Sequence, residues 1–239
     1  MIYSKKFRPA VAMVELIFAI VIMGIAMMSA PLLISTAGKG STVAIQQEGI
    51  NEASTRMAII MSYAWDENDT DEMYIPPILH VTNGHTDLDE SGDSERRVGT
   101  PDASQRTFLI SDSNSSELNA STLLAMDSND NNEEDDIDDF VGSISLTLVG
   151  SSTDTDYIEK DTINIKTEIS YISDNVDGGY SNGHTINFIP FQANAATTNI
   201  KEITVTLTST SDIEELNKTI VLRAFSCNIG GYKLEEKVF

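Results

Sequence analysis

The chain has 239 residues, 37 of them acidic and 15 basic, so its net charge at neutral pH is -22. Such an acidic balance repels phosphate backbones and excludes nucleic-acid binding without a local basic patch, and the sequence offers none. A single cysteine, Cys227, excludes an intrachain disulfide and a cysteine zinc cluster, while 41% hydrophobic content suits one ordinary domain plus an appendage.

The first element is an apolar run. From Leu16 to Gly38, 23 consecutive residues carry no charge, enough at about 1.5 Å per residue to cross roughly 30 Å of hydrocarbon. Lys5, Lys6 and Arg8 precede the run, which predicts a cytoplasmic amino end and an exported remainder. An ordinary cleaved signal peptide is the competing reading, with Ser35, Thr36 and Ala37 before Gly38 as a small-residue cleavage site. Two features oppose it. The run exceeds the usual core of about 7 to 15 residues. Glu15 stands directly before it, where an ionised carboxylate in lipid costs about 2.5–3.5 kcal/mol and calls for a partner.

The stretch from Lys5 to Ile25, KKFRPAVAMVELIFAIVIMGI, resembles the amino terminus of type IV pilins and of the pseudopilins of type II secretion systems. That family has a short basic leader, a small residue before the cut, four mostly apolar residues, then a glutamate and an apolar helix. The resemblance implies cleavage by a prepilin peptidase between Ala10 and Val11, methylation of the new Val11 amino terminus, and Glu15 as the fifth mature residue. Gly24 and Pro31 fall where such helices carry a glycine and, within one position, a bending proline. Ala10 stands where the family has glycine, Val11 where it has phenylalanine, and Pro31 one place early. A physical role for Glu15 follows from its cost in lipid: the amine of one subunit meets the carboxylate of its neighbour, and pairing removes the penalty on both.

After Gly38, Lys39 and Gly40, where a bend or fraying is expected, residues 41–66 carry apolar side chains at Val43, Ile50, Ala53, Met57, Ile60, Met61 and Ala64. These offsets mark one helical face. Gln47, Glu48, Asn51, Glu52 and Arg56 are assigned to the opposite, wet face. The predicted organisation is a leader at 1–10, a transmembrane and assembly helix at 11–38, the amphipathic half of that helix at 39–66, and an exported β-rich domain at 67–239.

Residues 66–139 hold 21 acidic side chains against three basic ones, so this insertion carries most of the charge imbalance. It is expected to be rich in loops, with strand-like patches at Met73 to Val81 and Arg106 to Ile110. Asp87, Asp89, Ser91 and Asp93 place oxygen ligands on alternate residues, as at the start of a calcium loop, but no closing glutamate follows: the twelfth position is Val98. Between Asp127 and Asp139, eight of thirteen residues are acidic, including Asp127, Asp130, Asp135, Asp136, Asp138 and Asp139. Two readings stay open for both segments, a solvated acidic loop and a calcium site.

Period-two alternation then takes over. Ile144, Leu146 and Leu148 share one face. Within 161–172, Ile163, Ile165, Ile169 and Tyr171 alternate with Asn164, Lys166, Glu168 and Ser170. Residues 199–208 and 218–226 form a hairpin with a long loop, led by Ile203, Val205 and Leu207, then Ile220, Leu222 and Ala224. The expected fold class is α+β: a long amino-terminal helix packed on an antiparallel sheet. The segments Asp135 to Gly142 and Ile203 to Thr206 also resemble minor pilins of the mannose-sensitive haemagglutinin biogenesis type.

No enzymatic constellation is readable, because His80, His85 and His184 are scattered and no phosphate loop matches. The expectation is a non-catalytic minor or accessory subunit of a type IV pilus or type II secretion pseudopilus. Its partners are the prepilin peptidase, other pilin or pseudopilin subunits and the bacterial inner membrane, which it spans once with its carboxy-terminal domain in the periplasm. The alternative is a membrane-anchored or secreted acidic domain that binds in a calcium-dependent way behind an ordinary signal sequence.

Overall fold

A computed structural model of the chain describes residues 9–70, 75–91, 95–101, 104–108, 118–127, 133–148, 161–176, 179–180, 192–209 and 217–232. The chain divides into two compact units, Met1–Glu48 and Gly49–Phe239. The division falls inside the one long helix, α1 (Pro9–Ile60).

In the first unit α1 carries no charged side chain from Leu16 to Gly38. From Met13 to Leu33 its large apolar side chains are exposed in the isolated chain, and the helix is long and apolar enough to cross a membrane. Two of its hydroxyls bond within the helix: Ser29 Oγ donates to the Ala26 carbonyl at 3.0 Å and Thr36 Oγ1 to that of Leu32 at 2.8 Å. Pro31 lies inside the helix. Gly38, Lys39 and Gly40 also lie inside it, so the helix is not interrupted by fraying there. Glycine weakens a helix by about 0.5–1 kcal/mol but keeps its N–H, so long helical flanks carry it through.

The second unit is built on four strands, β1 (Gly142–Leu148), β2 (Asp161–Ile172), β3 (Ile200–Ser209) and β4 (Ile220–Cys227). They pair antiparallel in the order β1-β2-β3-β4, so neighbours in sequence are neighbours in space. The register sets Ile165 opposite Leu207, Thr167 opposite Val205, Ile169 opposite Ile203 and Tyr171 opposite Lys201. Those side chains are all buried, together with Ile163. Burying an aliphatic side chain of this size contributes about 1.5–3 kcal/mol, so the face is the main apolar store of the unit. At the β1 edge the pattern weakens, and Ile144 stays 40% exposed despite its inward parity. On the other face of β4, Val221, Arg223 and Phe225 are exposed.

The final turns of α1 cover this face through Gly49, Ala53, Met57 and Ile60, all buried. Of the predicted stripe, Ala53, Met57 and Ile60 are buried, whereas Val43 and Met61 are exposed. Arg56 is not the wet-face residue expected from its position. Its Nε donates to Thr167 Oγ1 at 2.8 Å and its Nη2 to the Phe140 carbonyl at 3.0 Å. A guanidinium on a long apolar stem reaches around a helix to a polar spot in the sheet, which helical spacing alone does not register.

The helix also stops six residues before the predicted end at 66. Ser62 N bonds the Ile59 carbonyl and Tyr63 N that of Ile60. This tightened turn carries Trp65 and Asp66 into buried positions. Asp66 then caps the short turn Glu67–Asp69 through a reciprocal pair of side-chain bonds.

The described part of the acidic insertion has short turns and isolated pairings rather than strands. Residues 75–81 and 106–108 form no ladder; His80 makes a single parallel bridge with Asn119, and Ile78 N donates to the Thr107 carbonyl. The remaining residues of the two expected patches, 73–74 and 109–110, lie outside the described residues. Polar side chains tie this region to the sheet end. Arg97 donates to the carbonyls of Leu88 and Asn228 and to Asn199 Oδ1, and Asn228 pairs with both backbone groups of Leu79. Burial pulls the Arg97 guanidinium below its ordinary pKa, opposed chiefly by Asp174.

Candidate functional site

Ala10 and Val11 lie in the first turns of α1, within its helical backbone. Glu15 follows one turn later and is exposed in the isolated chain, at the start of the uncharged run. Along the helix from Ala10, Glu15 is the one carboxylate before a run of uncharged side chains that reaches Gly38.

The acidic positions separate into three groups. Asp87 and Asp89 flank Leu88 in the turn Thr86–Leu88, where His85 Nδ1 accepts from Asp87 N at 3.1 Å and caps the turn. Asp89 and Ser91 are exposed, and Ser91 N is bonded to the Arg96 carbonyl. Asp127 is half-buried and Asp135 exposed. Asp93 and Asp130 lie outside the described residues. Among the described residues, no group of three or more carboxylate, histidine or cysteine side chains is arranged to hold a metal ion.

Asp136, Asp138 and Asp139 are not part of a solvated loop: all three are buried around the turn Asp138–Phe140. Asp136 Oδ1 accepts from the backbone N–H groups of Asp138 at 2.6 Å and Asp139 at 3.2 Å. Asp139 Oδ2 accepts from those of Asp135 and Asp136. Each carboxylate thus serves as a local turn cap.

Asp138 is committed to Lys201. The Lys201 side chain is fully buried, and its Nζ donates to Asp138 Oδ2 at 2.5 Å, Asp66 Oδ2 at 3.0 Å and the Trp65 carbonyl at 2.8 Å. The ammonium lies 4.5 Å from the Trp65 ring centroid and 5.4 Å from that of Tyr171, so two aromatic faces exclude water from it. Asp66 is held from other sides by Ser121 N and Asn68 N, and the Tyr171 hydroxyl, 3.4 Å from Asp66 Oδ2, donates to the Ser121 carbonyl at 2.5 Å. Asp138 Oδ1, by contrast, is buried with no hydrogen-bond partner among the described residues.

One ammonium therefore faces two buried carboxylates, with Asp136 and Asp69 close enough to act on the group electrostatically. Burial raises the Asp138 acid to about 7; Lys201 opposes the shift and Asp136 adds to it. Burial likewise raises Asp136 to about 6 and Asp69 to about 7.

Sequence reasoning missed this constellation, although one signal was present. Lys201 has the parity of Ile203, Val205 and Leu207, so a lysine occupies an inward position of an otherwise apolar strand face. Cys227 is half-buried and unbridged. His80 stacks at 4.8 Å on Phe108, His85 meets Tyr180 edge-on, and His184 lies outside the described residues. No family model, curated protein or solved structure matches the chain.

Proposed function

We propose that this chain is a minor or accessory subunit of a type IV pilus or type II secretion pseudopilus. A prepilin peptidase cuts it between Ala10 and Val11 and methylates Val11, and the helix that follows enters the filament. The observation that supports this most strongly is the single helix Pro9–Ile60, with Glu15 immediately before a 23-residue uncharged run and its last turns on an antiparallel sheet. A membrane anchor needs only the apolar run. An acid at the entry of that run is explained by a partner inside the assembly, namely the amino terminus of a neighbouring subunit. The net charge of -22 favours a sparse position, since copies packed at high density repel one another.

In this reading the chain first resides in the bacterial inner membrane, amino terminus in the cytoplasm and carboxy-terminal domain in the periplasm. Intact mass and amino-terminal sequencing of the protein from cells carrying a prepilin peptidase test the assignment. A chain that begins at methylated Val11 is the expected result. A chain that begins at Gly38, or that retains Met1 in the presence of the peptidase, overturns it.

A further inference from the structure

We infer that Lys201 and Asp138 are the two halves of an intramolecular amide crosslink, formed with Asp66 as the proton carrier. The proposal is independent of filament assembly. It rests on three features found together: a fully buried amine in hydrogen-bond contact with a carboxyl group, a second carboxylate touching the same amine, and walls made of Trp65 and Tyr171.

The two acids are not equivalent. Asp66 is the better hydrogen-bonded of the two, because its oxygens accept from Ser121 N and Asn68 N besides Lys201. Its contact with Lys201 Nζ places it to carry a proton to and from that nitrogen. Asp138 presents one oxygen to Lys201 while the other, Oδ1, has no partner within the described residues. A buried oxygen without a donor disfavours the anion and favours the neutral acid, whose carbon is the electrophile. The upward displacement of the Asp138 pKa by burial agrees with this.

The step balances without any co-reactant. Lys201 passes a proton to Asp138, giving a neutral amine and a neutral carboxylic acid. The Nζ lone pair attacks Asp138 Cγ, and the Nζ–Cγ bond forms. Asp66 removes a second proton from the nitrogen and returns it to the hydroxyl on Cγ. The Cγ–O bond then breaks and one water leaves, carrying an oxygen of Asp138 and two protons of the original ammonium. Nζ keeps one hydrogen, which Asp66 Oδ2 can accept. The net charge of the cluster is unchanged.

Amide formation is uphill in water, but this site alters both sides of the balance. The reactants are held in contact by the fold, which removes the cost of bringing them together. The starting ion pair bears a desolvation penalty that the neutral amide does not. The leaving water departs from a site walled by aromatic rings. The bond ties the turn Asp138–Phe140, at the end of the acidic insertion, to the inward face of β3.

The test is the intact mass of the full-length chain in detergent, followed by peptide mapping. The expected mass is lower than that of the linear chain by one water, with the Lys201 peptide joined to the Asp138 peptide and no tryptic cleavage after Lys201. Replacing Asp138 by Asn should shift the lost molecule from water to ammonia, a signature that does not depend on stability. Asp66→Asn should leave a folded chain of linear mass or condense at least tenfold more slowly. A folded wild-type chain with the full linear mass, cut normally after Lys201 after prolonged incubation, overturns the proposal and leaves a buried ion pair only.

Discussion

A Cβ placed on Gly49 would stand 2.9 Å from Leu207 Cδ1 and 3.3 Å from Ile163 Cδ1. The backbone of α1 therefore rests directly on the side chains of β2 and β3 at this point. Gly49→Ala adds one methyl against the mobile end of a leucine and gains about 0.8–1 kcal/mol of helix propensity, so its net effect should be small. Gly49→Leu has nowhere to go and should cost about 1–3 kcal/mol through overpacking. Thermal unfolding of the full-length chain in detergent separates the two variants; equal melting of Gly49→Leu and wild type would show that the close approach is not a constraint.

Arg56 offers a second test of the same interface. Its guanidinium bridges Thr167 in the middle of β2 and the Phe140 carbonyl before β1, and it lies 5.6 Å from the Phe140 ring centroid. Burial lowers its pKa from the ordinary value, against the attraction of Glu134 and Glu52. Arg56→Met keeps the apolar stem and removes the donors, leaving the buried Thr167 hydroxyl without its partner. The expected loss is about 1–3 kcal/mol in denaturant unfolding, and Arg56→Lys should recover only part of it because a single ammonium cannot span both acceptors. Wild-type stability in Arg56→Met would mean that the bridge contributes nothing net.

Much of the scaffold was legible because it is periodic. The alternation of Ile163, Ile165, Ile169 and Tyr171 located β2 with the bounds Asp161–Ile172, and Ile203, Val205 and Leu207 located the core of β3. Ala53, Met57 and Ile60 gave the packed stripe of the helix. What escaped was non-periodic. Lys201 meets Asp66 and Asp138 across sequence separations of 135 and 63 residues, and no local pattern encodes such meetings. The same distance hid why Asp136, Asp138 and Asp139 crowd together: their charge is answered by turn N–H groups and by a lysine from a distant strand. The irregular stretch 75–81 misled for the opposite reason. Ile78 and Leu79 are buried, but their backbone bonds go to scattered partners, not to a ladder.

Glu15 tests the assembly reading on its own terms. Glu15→Ala removes a carboxylate that costs about 2.5–3.5 kcal/mol in the apolar phase, so membrane insertion should be retained or improved. Incorporation into filaments should fall, because the amino terminus of the adjoining subunit loses its counter-charge. Comparing membrane-bound and filament-bound protein by immunoblot measures the two effects separately. Normal incorporation of Glu15→Ala would remove the charge-pair argument.

The buried acids give the folded chain an unusual pH dependence. Asp69 titrates at about 7 and Asp136 at about 6, against an ordinary carboxyl value of 3.8, with burial the first cause in each case. Asp138, also raised to about 7, adds to the effect wherever it remains uncondensed. Unfolding returns these groups to water, where they ionise near pH 4. Between about pH 4 and 7 the folded chain therefore holds protons that the unfolded chain has released. Their stabilising contribution is full below about pH 4 and is lost as the pH rises through about 6 and 7. The midpoint of denaturant unfolding should accordingly be higher near pH 5.5 than near pH 8, and the loss for each acid is at most about 1.4 kcal/mol per tenfold change in proton concentration. Asp69→Asn cannot titrate and should flatten the profile. A midpoint that climbs from about pH 5.5 to about pH 8 in the wild-type chain would mean that these carboxylates are ionised in the fold, with the turn N–H groups and Lys201 outweighing their burial.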